Sequence, residues 1–143
     1  MISYETTRQV RDHCLCLHAQ RTARTLARRF DEVLRPLELT NGQFSLLISL
    51  NRPKPAAMGP VAQLLGMDRT TLTAALKPLQ RRGLVETVAD ADDKRSRLLK
   101  LTRRGHALLK KAVPLWERTH AEIDRLLAGQ DPDRLRRALR SLA

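Results

Sequence analysis

The chain has 143 residues, with 27 Lys and Arg against 15 Asp and Glu, a formal net charge of +12 and a pI near 11.1. That length suits a single domain spanning 1–143, its 42% hydrophobic content excludes a disordered chain, and no apolar run reaches the ~18 residues a membrane-spanning helix needs. The positive surplus attracts polyanions, while having only Tyr4, Phe30, Phe44 and Trp116 as aromatics disfavours a single-strand binder, which stacks bases on rings.

Residues 5 to 37 read as one long helix. Cys16, Ala19, Ala23, Phe30, Leu34 and Leu37 share an apolar face, and Arg21, Arg24, Arg28 and Arg35 lie opposite with Cys14. Such a stripe wants a partner. Pro36 marks its end. Thr40 and Gln43 form a capping-box pattern that opens a second helix, with Phe44, Leu47, Ile48 and Leu50 inward. The Pro-rich run from Asn51 to Pro55 ends it.

A third helix is expected from Gly59 to Leu65, stopped by Gly66, and a fourth over about 69 to 82 behind Asp68. Two helices joined by a tight Gly turn form a helix-turn-helix. The fourth turns Leu72, Ala75, Leu76 and Leu79 inward and shows Arg69, Thr70, Thr71, Thr73 and Lys77 outward. Pro78 should bend its last turn. After Gly83, residues 84–88 and 98–101 read as two strands around a charged loop, Ala89 to Arg97, which makes a wing. Thr102 caps a fifth helix, about 103 to 128, where Pro114 should kink. Asp131 and Pro132 start a final short helix with Leu135, Leu139 and Leu142.

The order of these parts carries the functional reading. A polar-faced helix after a tight turn suits the major groove, and a basic hairpin suits the flanking backbone or minor groove. Arg can fork onto a guanine edge, and Thr can meet a thymine methyl or a phosphate. Asp93 is placed to fix the rotamer of Arg95 by ion pairing, which lowers the entropy lost on binding. Residues 68–104 carry ten Lys and Arg against five Asp and Glu, a local net of +5.

The segment D-x-x-D-K-R-S-R-L-L-K-L-T-R-R-G, from Asp90 to Gly105, resembles the wing of the MarR family. So do Asp68-Arg69-Thr70-Thr71-Leu72-Thr73 and Leu79-Gln80-Arg81-Arg82-Gly83-Leu84-Val85. The resemblance implies a mainly α fold with a small β-hairpin wing. Residues 1–37 and 103–143 would be dimerisation helices and 38–102 a winged helix-turn-helix lobe. It implies a homodimeric repressor on pseudo-palindromic double-stranded DNA, released by a small-molecule effector or by cysteine oxidation. By position, Arg69, Thr70, Thr71, Thr73 and Lys77 fall in the recognition helix, and Asp93, Arg95 and Arg97 in the wing. Met58-Gly59-Pro60-Val61 and Pro78 depart from the commonest pattern and bear on the docking angle.

Cys16 stands where organic-hydroperoxide repressors of that family carry a reactive cysteine, but Gln20, Phe30 and Asn41 replace the tyrosines that would hydrogen-bond it. Cys16 lies on the apolar stripe, where burial would make it inert, whereas Arg11 and His18 flank Cys14 and favour thiolate. Simple packing is the alternative for both. On one helix the two are too close to bond each other. His13, Cys14, Cys16 and His18 lack the spacing of a closed metal site, so neither metal nor cofactor is expected. Arg8, Arg11 and Arg21 are candidates for an anionic ligand or a solvated face. His106 and His120 read as solvated or packed helix residues.

No catalytic arrangement is visible, and Asp92 with Asp93 reads as a charged turn, so an enzyme is not expected. No secretory signal is expected either, and two cysteines make no disulfide framework, which fits a cytoplasmic setting. The competing function is a winged-helix module for protein contact, disfavoured by the retained Arg69, Lys77, Arg95 and Arg97.

Overall fold

The computed structural model describes residues 1–143. In chain order it holds α1 (Tyr4–His13), α2 (Leu15–Leu34), a 3-10 turn (Arg35–Leu37), α3 (Asn41–Ser49), β1 (Ala56–Ala57), α4 (Met58–Leu65) and α5 (Arg69–Arg81). Then follow β2 (Val85–Ala89), β3 (Arg97–Leu101), α6 (Arg103–Leu126) and α7 (Pro132–Arg140). No helix is long and apolar enough to cross a membrane.

The expected single helix over 5–37 is corrected at two places. It breaks at Cys14, whose backbone is extended at φ −73° and ψ 105°. Side chains take up the bonds the break releases. The Cys14 thiol accepts from the Leu17 amide at 3.4 Å, and the His18 ring meets the Asp12 carbonyl at 3.0 Å. At the other end α2 tightens into the 3-10 turn, and Glu38 reverses the chain at φ 54°, alone among non-glycine residues in having positive φ. The Thr40–Gln43 capping box forms as expected: the Thr40 hydroxyl accepts from the Gln43 amide at 3.2 Å, and Gln43 Oε1 accepts from the Thr40 amide at 3.1 Å.

The core is mainly aliphatic, with Phe30 and Phe44, and joins α2 and α6 to the helix-turn-helix and the sheet. Leu34, Leu46, Leu47, Val61, Leu72, Leu79 and Leu84 are fully buried, each contributing about 1.5–3 kcal/mol against exposure. In α3 and at its C-cap, Phe44, Leu47 and Leu50 are buried as expected, but Ile48 is exposed and Leu46 is buried as well, because α2, α4 and α6 all pack on this short helix. The sheet has three antiparallel strands, not two, in the order β1-β3-β2. Ala56 and Ala57 pair with Leu99 and Leu98 and so cover the free edge of β3. Two alanines after a proline-rich loop carry no strand signal of their own.

One junction sets the angle between wing and α6. The Thr102 hydroxyl donates to the Gly83 carbonyl at 2.6 Å and accepts from the Gly105 amide at 3.0 Å, and the Thr102 amide donates to the Leu84 carbonyl at 3.1 Å. Gly105 is buried directly on Leu84, where a Cβ would overlap the Leu84 carbonyl oxygen.

A second seam is aromatic. His120 lies 4.5 Å from Trp116 and 5.3 Å from Phe30, centroid to centroid, and Trp116 stacks on Phe44 at 6.5 Å. Burial pushes the His120 imidazole below its ordinary range, and the nearby Arg136 charge adds to this against the opposing Asp124. Arg136 also ties α7 to α6 through Asp124. α1, the start of α2 and the C-terminal stretch from α7 onward otherwise lie open. Val10, Leu15, Leu17, Leu135, Leu139 and Leu142 keep between 44% and 72% of their surface exposed.

Gly105→Ala should lower stability by about 1–3 kcal/mol in urea unfolding, because the obstacle is backbone and cannot swing aside. Gly59→Ala, also in a helix but meeting nothing within 4 Å, serves as the control and should lose no stability. A depressed imidazole gives stability that is full above its unfolded value near 6.5 and is lost as pH falls through the folded value. Thermal melts from pH 7.5 to 5 should therefore fall more steeply in the wild type than in His120→Gln; equal slopes would exclude His120 as the source.

Candidate nucleic-acid interface

The tight turn between α4 and α5 forms because Gly66 adopts φ 63° and ψ 32°, a conformation that costs side chains with a Cβ. The Met67 amide then donates back to Ala62 at 2.9 Å and the Gly66 amide to Gln63 at 3.2 Å. Asp68 caps α5, its carboxylate accepting from the Thr71 amide at 2.7 Å. That bond holds the Asp68 carboxyl below the usual carboxylate range, with the Thr71 hydroxyl and the Thr70 amide acting in the same direction.

Behind this cap α5 buries Leu72, Leu76 and Leu79 and leaves Arg69, Thr70, Thr71, Thr73 and Lys77 exposed. Arg69, Thr70, Thr73 and Lys77 line one shallow depression of about 310 Å³. Thr71 lies outside that depression, and its backbone amide donates to the Asp68 cap. The Thr73 hydroxyl donates to the Arg69 carbonyl at 2.8 Å, which leaves its methyl free to face outward. α5 runs through Pro78 unbroken, and Ala74, the residue deprived of a partner amide, is exposed.

The wing pairs Val85 with Leu101 through to Ala89 with Arg97. Its tip is shaped by two aspartates. Asp90 accepts from the Asp92 amide and Asp93 from the Arg95 amide, each at 3.0 Å. The Asp93 carbonyl also accepts from the Ser96 amide at 2.9 Å. This corrects the expected Asp93–Arg95 ion pair. The carboxylate fixes the turn's backbone and leaves the Arg95 guanidinium unpaired, because a side chain two residues back reaches the amide more readily than the far end of an arginine.

Arg95 and Arg97 are exposed, as are Asp93 and Lys94. None of Arg69, Lys77, Lys94, Arg95 or Arg97 has a carboxylate within ion-pair distance; in this region only Lys100 is paired, with Glu86 at 3.7 Å. Two contacts that sequence reasoning missed hold these parts together. The Gln80 amide donates to the Thr87 hydroxyl at 3.0 Å and joins α5 to β2. Arg82 donates to the carbonyls of Glu38 at 2.6 Å and Leu37 at 3.3 Å and joins α5 to the end of α2. The Arg-Arg-Gly run at the helix end was the only visible signal, and nothing in it told Arg82 from Arg81.

The cysteines sit differently from the expectation. Cys16 is exposed, with the Gln20 amide 3.0 Å from its sulfur, and Cys14 is half-buried at the helix break. They do not share a helix, so the objection to their pairing drawn from a common helix does not apply. No cluster of three or more His, Cys, Asp or Glu is placed to hold a metal.

A MarR family model matches residues 37–96, the helix-turn-helix and most of the wing. The transcriptional regulator MosR of M. tuberculosis, solved in complex with DNA, is similar at 40% identity, with 91% of this chain and 93% of that one covered and a TM-score of 0.81. CouR, a transcriptional repressor bound to a 23-mer DNA duplex, is similar at 31% identity, covering 93% and 92% with a TM-score of 0.74. A cysteine-to-serine mutant of E. coli MarR complexed with operator DNA is similar at 26% identity, covering 93% and 96% with a TM-score of 0.82. With the fold, the helix-turn-helix and the wing all matched by relatives above 30% identity over most of both chains, the chain belongs to the MarR family of winged-helix transcriptional regulators.

Proposed function

We propose that the chain is a homodimeric repressor that binds pseudo-palindromic double-stranded DNA through α5 and the wing. The observation that carries this reading is the set of unpaired cations, Arg69, Lys77, Arg95 and Arg97, on two adjoining projections held by Gln80 and Thr87. Free of carboxylates, they release the counterions of DNA phosphates without first breaking a bond of their own. Arg69, Thr70, Thr73 and Lys77 read base edges and phosphates, and Thr71 sets the N-terminal turn. Arg95 and Arg97 flank the groove, with Asp93 shaping the tip. Similarity to regulators solved on DNA supports the same reading.

In this reading 38–102 is the DNA lobe, and 1–37 with 103–143 form the dimer. The open Val10 of α1 and the open leucines of α2 and α7 support that division, since a surface this apolar is stabilised by a second copy. The protein acts in the cytoplasm and has no catalytic role. Release follows a small-molecule effector or cysteine oxidation. An apolar cavity of about 550 Å³ between α3, α4 and α6, lined by Phe44, Ile48, Leu64, Val113 and Trp116 with Arg52 at its edge, supports the first route. The exposed Cys16 and the helix break at Cys14 support the second.

Fluorescence anisotropy on DNA from upstream of the gene should show binding about a hundredfold tighter than to a scrambled duplex, with affinity falling steeply as salt rises. Arg69→Ala should cost about 1–3 kcal/mol and relax specificity, whereas Arg95→Ala should weaken binding and flatten the salt slope. Equal binding of both duplexes in every sequence tried would favour a protein-contact module. In the same assay an organic hydroperoxide should release the wild type. Cys14→Ser and Cys16→Ser then separate the two sulfurs, and a response unchanged in both would remove oxidation from the reading.

A further inference from the structure

We propose that a basic groove between the end of α2, the end of α5 and the start of α6 binds a compact dianion, a phosphate monoester or a short dicarboxylate. The groove encloses about 320 Å³. Arg82, Arg104 and Lys111 supply its charge, Glu38 is its single acid, and Leu37 and Leu84 contribute to its apolar wall. The assignment goes beyond DNA binding and does not depend on it.

Three observations separate this groove from ordinary basic surface. The first is preorganisation. Arg82 is half-buried and held by the Glu38 and Leu37 carbonyls. Those bonds spend two of its five N–H donors and fix the guanidinium plane, so an anion meets a donor that has already lost its rotamer freedom. The second is absence of neutralisation. Neither Arg104 nor Lys111 has a carboxylate within ion-pair distance, and at seven residues apart they stand two turns along one face of α6. The third is the helix itself. The first turn of α6 holds Arg103 and Arg104 and no acid, although a helix N-terminus favours negative charge. From Arg103 to Lys111 the helix carries four Lys or Arg and no Asp or Glu. A bound dianion would offset charges that the chain leaves unopposed.

The DNA backbone is a poor match for this groove. At about 100° per residue, Arg82 projects roughly 140–180° around α5 from Arg69, Thr73 and Lys77, on the side turned toward α2. The groove is also small and walled in part by apolar carbon, which suits a small molecule. Its position has a regulatory consequence. A dianion shared by Arg82, Arg104 and Lys111 would tie the end of the recognition helix and the strained Glu38 turn to α6, and so bias the angle between the dimer helices and the DNA lobe.

The test uses the full chain and inorganic phosphate as the probe, with ionic strength matched by chloride, in thermal melts and calorimetric titrations. At a tenfold excess over the dissociation constant, phosphate should raise the wild-type melting temperature by about 3–5 °C over chloride. Arg104→Ala with Lys111→Ala should abolish both the shift and the titration heat. Lys54→Ala with Arg134→Ala, which removes the same charge from exposed sites elsewhere, should preserve both. Succinate in a parallel series separates the sources: a response to both anions assigns dianions generally, and a response to phosphate alone assigns phosphate esters. A shift that survives in Arg104→Ala/Lys111→Ala, or a wild type that treats phosphate as chloride, overturns the proposal.

Discussion

Where the hairpin begins, its backbone lies against the first turn of α6 with no room for a side chain between them. Gly105 permits that contact, and Thr102 closes it from both sides by donating to Gly83 and accepting from Gly105. The consequence is mechanical. Strand β2 leaves this junction at a fixed angle, β3 pairs with it in register, and the wing tip is carried to a defined place beside α5. Gln80 and Thr87 then join the helix to the strand. A DNA reader built from a helix and a wing needs this rigidity, since a mobile wing would lose its entropy on every binding event.

The other half of the molecule follows the opposite logic. The lobe buries most of its leucines within one chain, whereas Val10 of α1 and the leucines of the first half of α2 and of α7 stay open. The two regions share one core, which joins Phe30 and Leu34 of α2 and Leu109, Ala112 and Ile123 of α6 to the lobe leucines, and two further ties add to it: Arg82 to the carbonyls at the end of α2, and Trp116 of α6 stacked on Phe44 of α3. Arg82 and Trp116 are partly exposed, so these two ties can change geometry at lower cost than the shared core. Coupling between effector and DNA in the proposed regulator would pass through such contacts.

The chain-level departures from the sequence reading have specific causes. The long first helix breaks at Cys14, although no proline or glycine marks the spot. The thiol and the His18 ring replace the lost backbone bonds, and helix periodicity is blind to such substitutions. Asp93 binds a backbone amide and not the guanidinium of Arg95, because the nearer donor wins in a turn of this size. Ala56 and Ala57 become a strand only because β3 offers an unpaired edge.

Much of the fold was legible in the residues. Gly66, Asp68, Gly83 and Thr102 each set a local boundary through bonds that reach no more than a few residues, or through backbone freedom, and the structure places those boundaries where they predict. The outward set of α5 and the charged wing loop were likewise readable, since helix period and strand alternation decide which side chains face away from leucine. The tertiary structure alone decided the rest: which of Arg81 and Arg82 clamps the end of α2, that Gly105 is needed for contact and not for flexibility, and that Arg104 and Lys111 share a groove with a fixed guanidinium. Each of these joins residues far apart in the chain, and a sequence pattern encodes which face a residue takes but not which distant carbonyl or cation it will meet there.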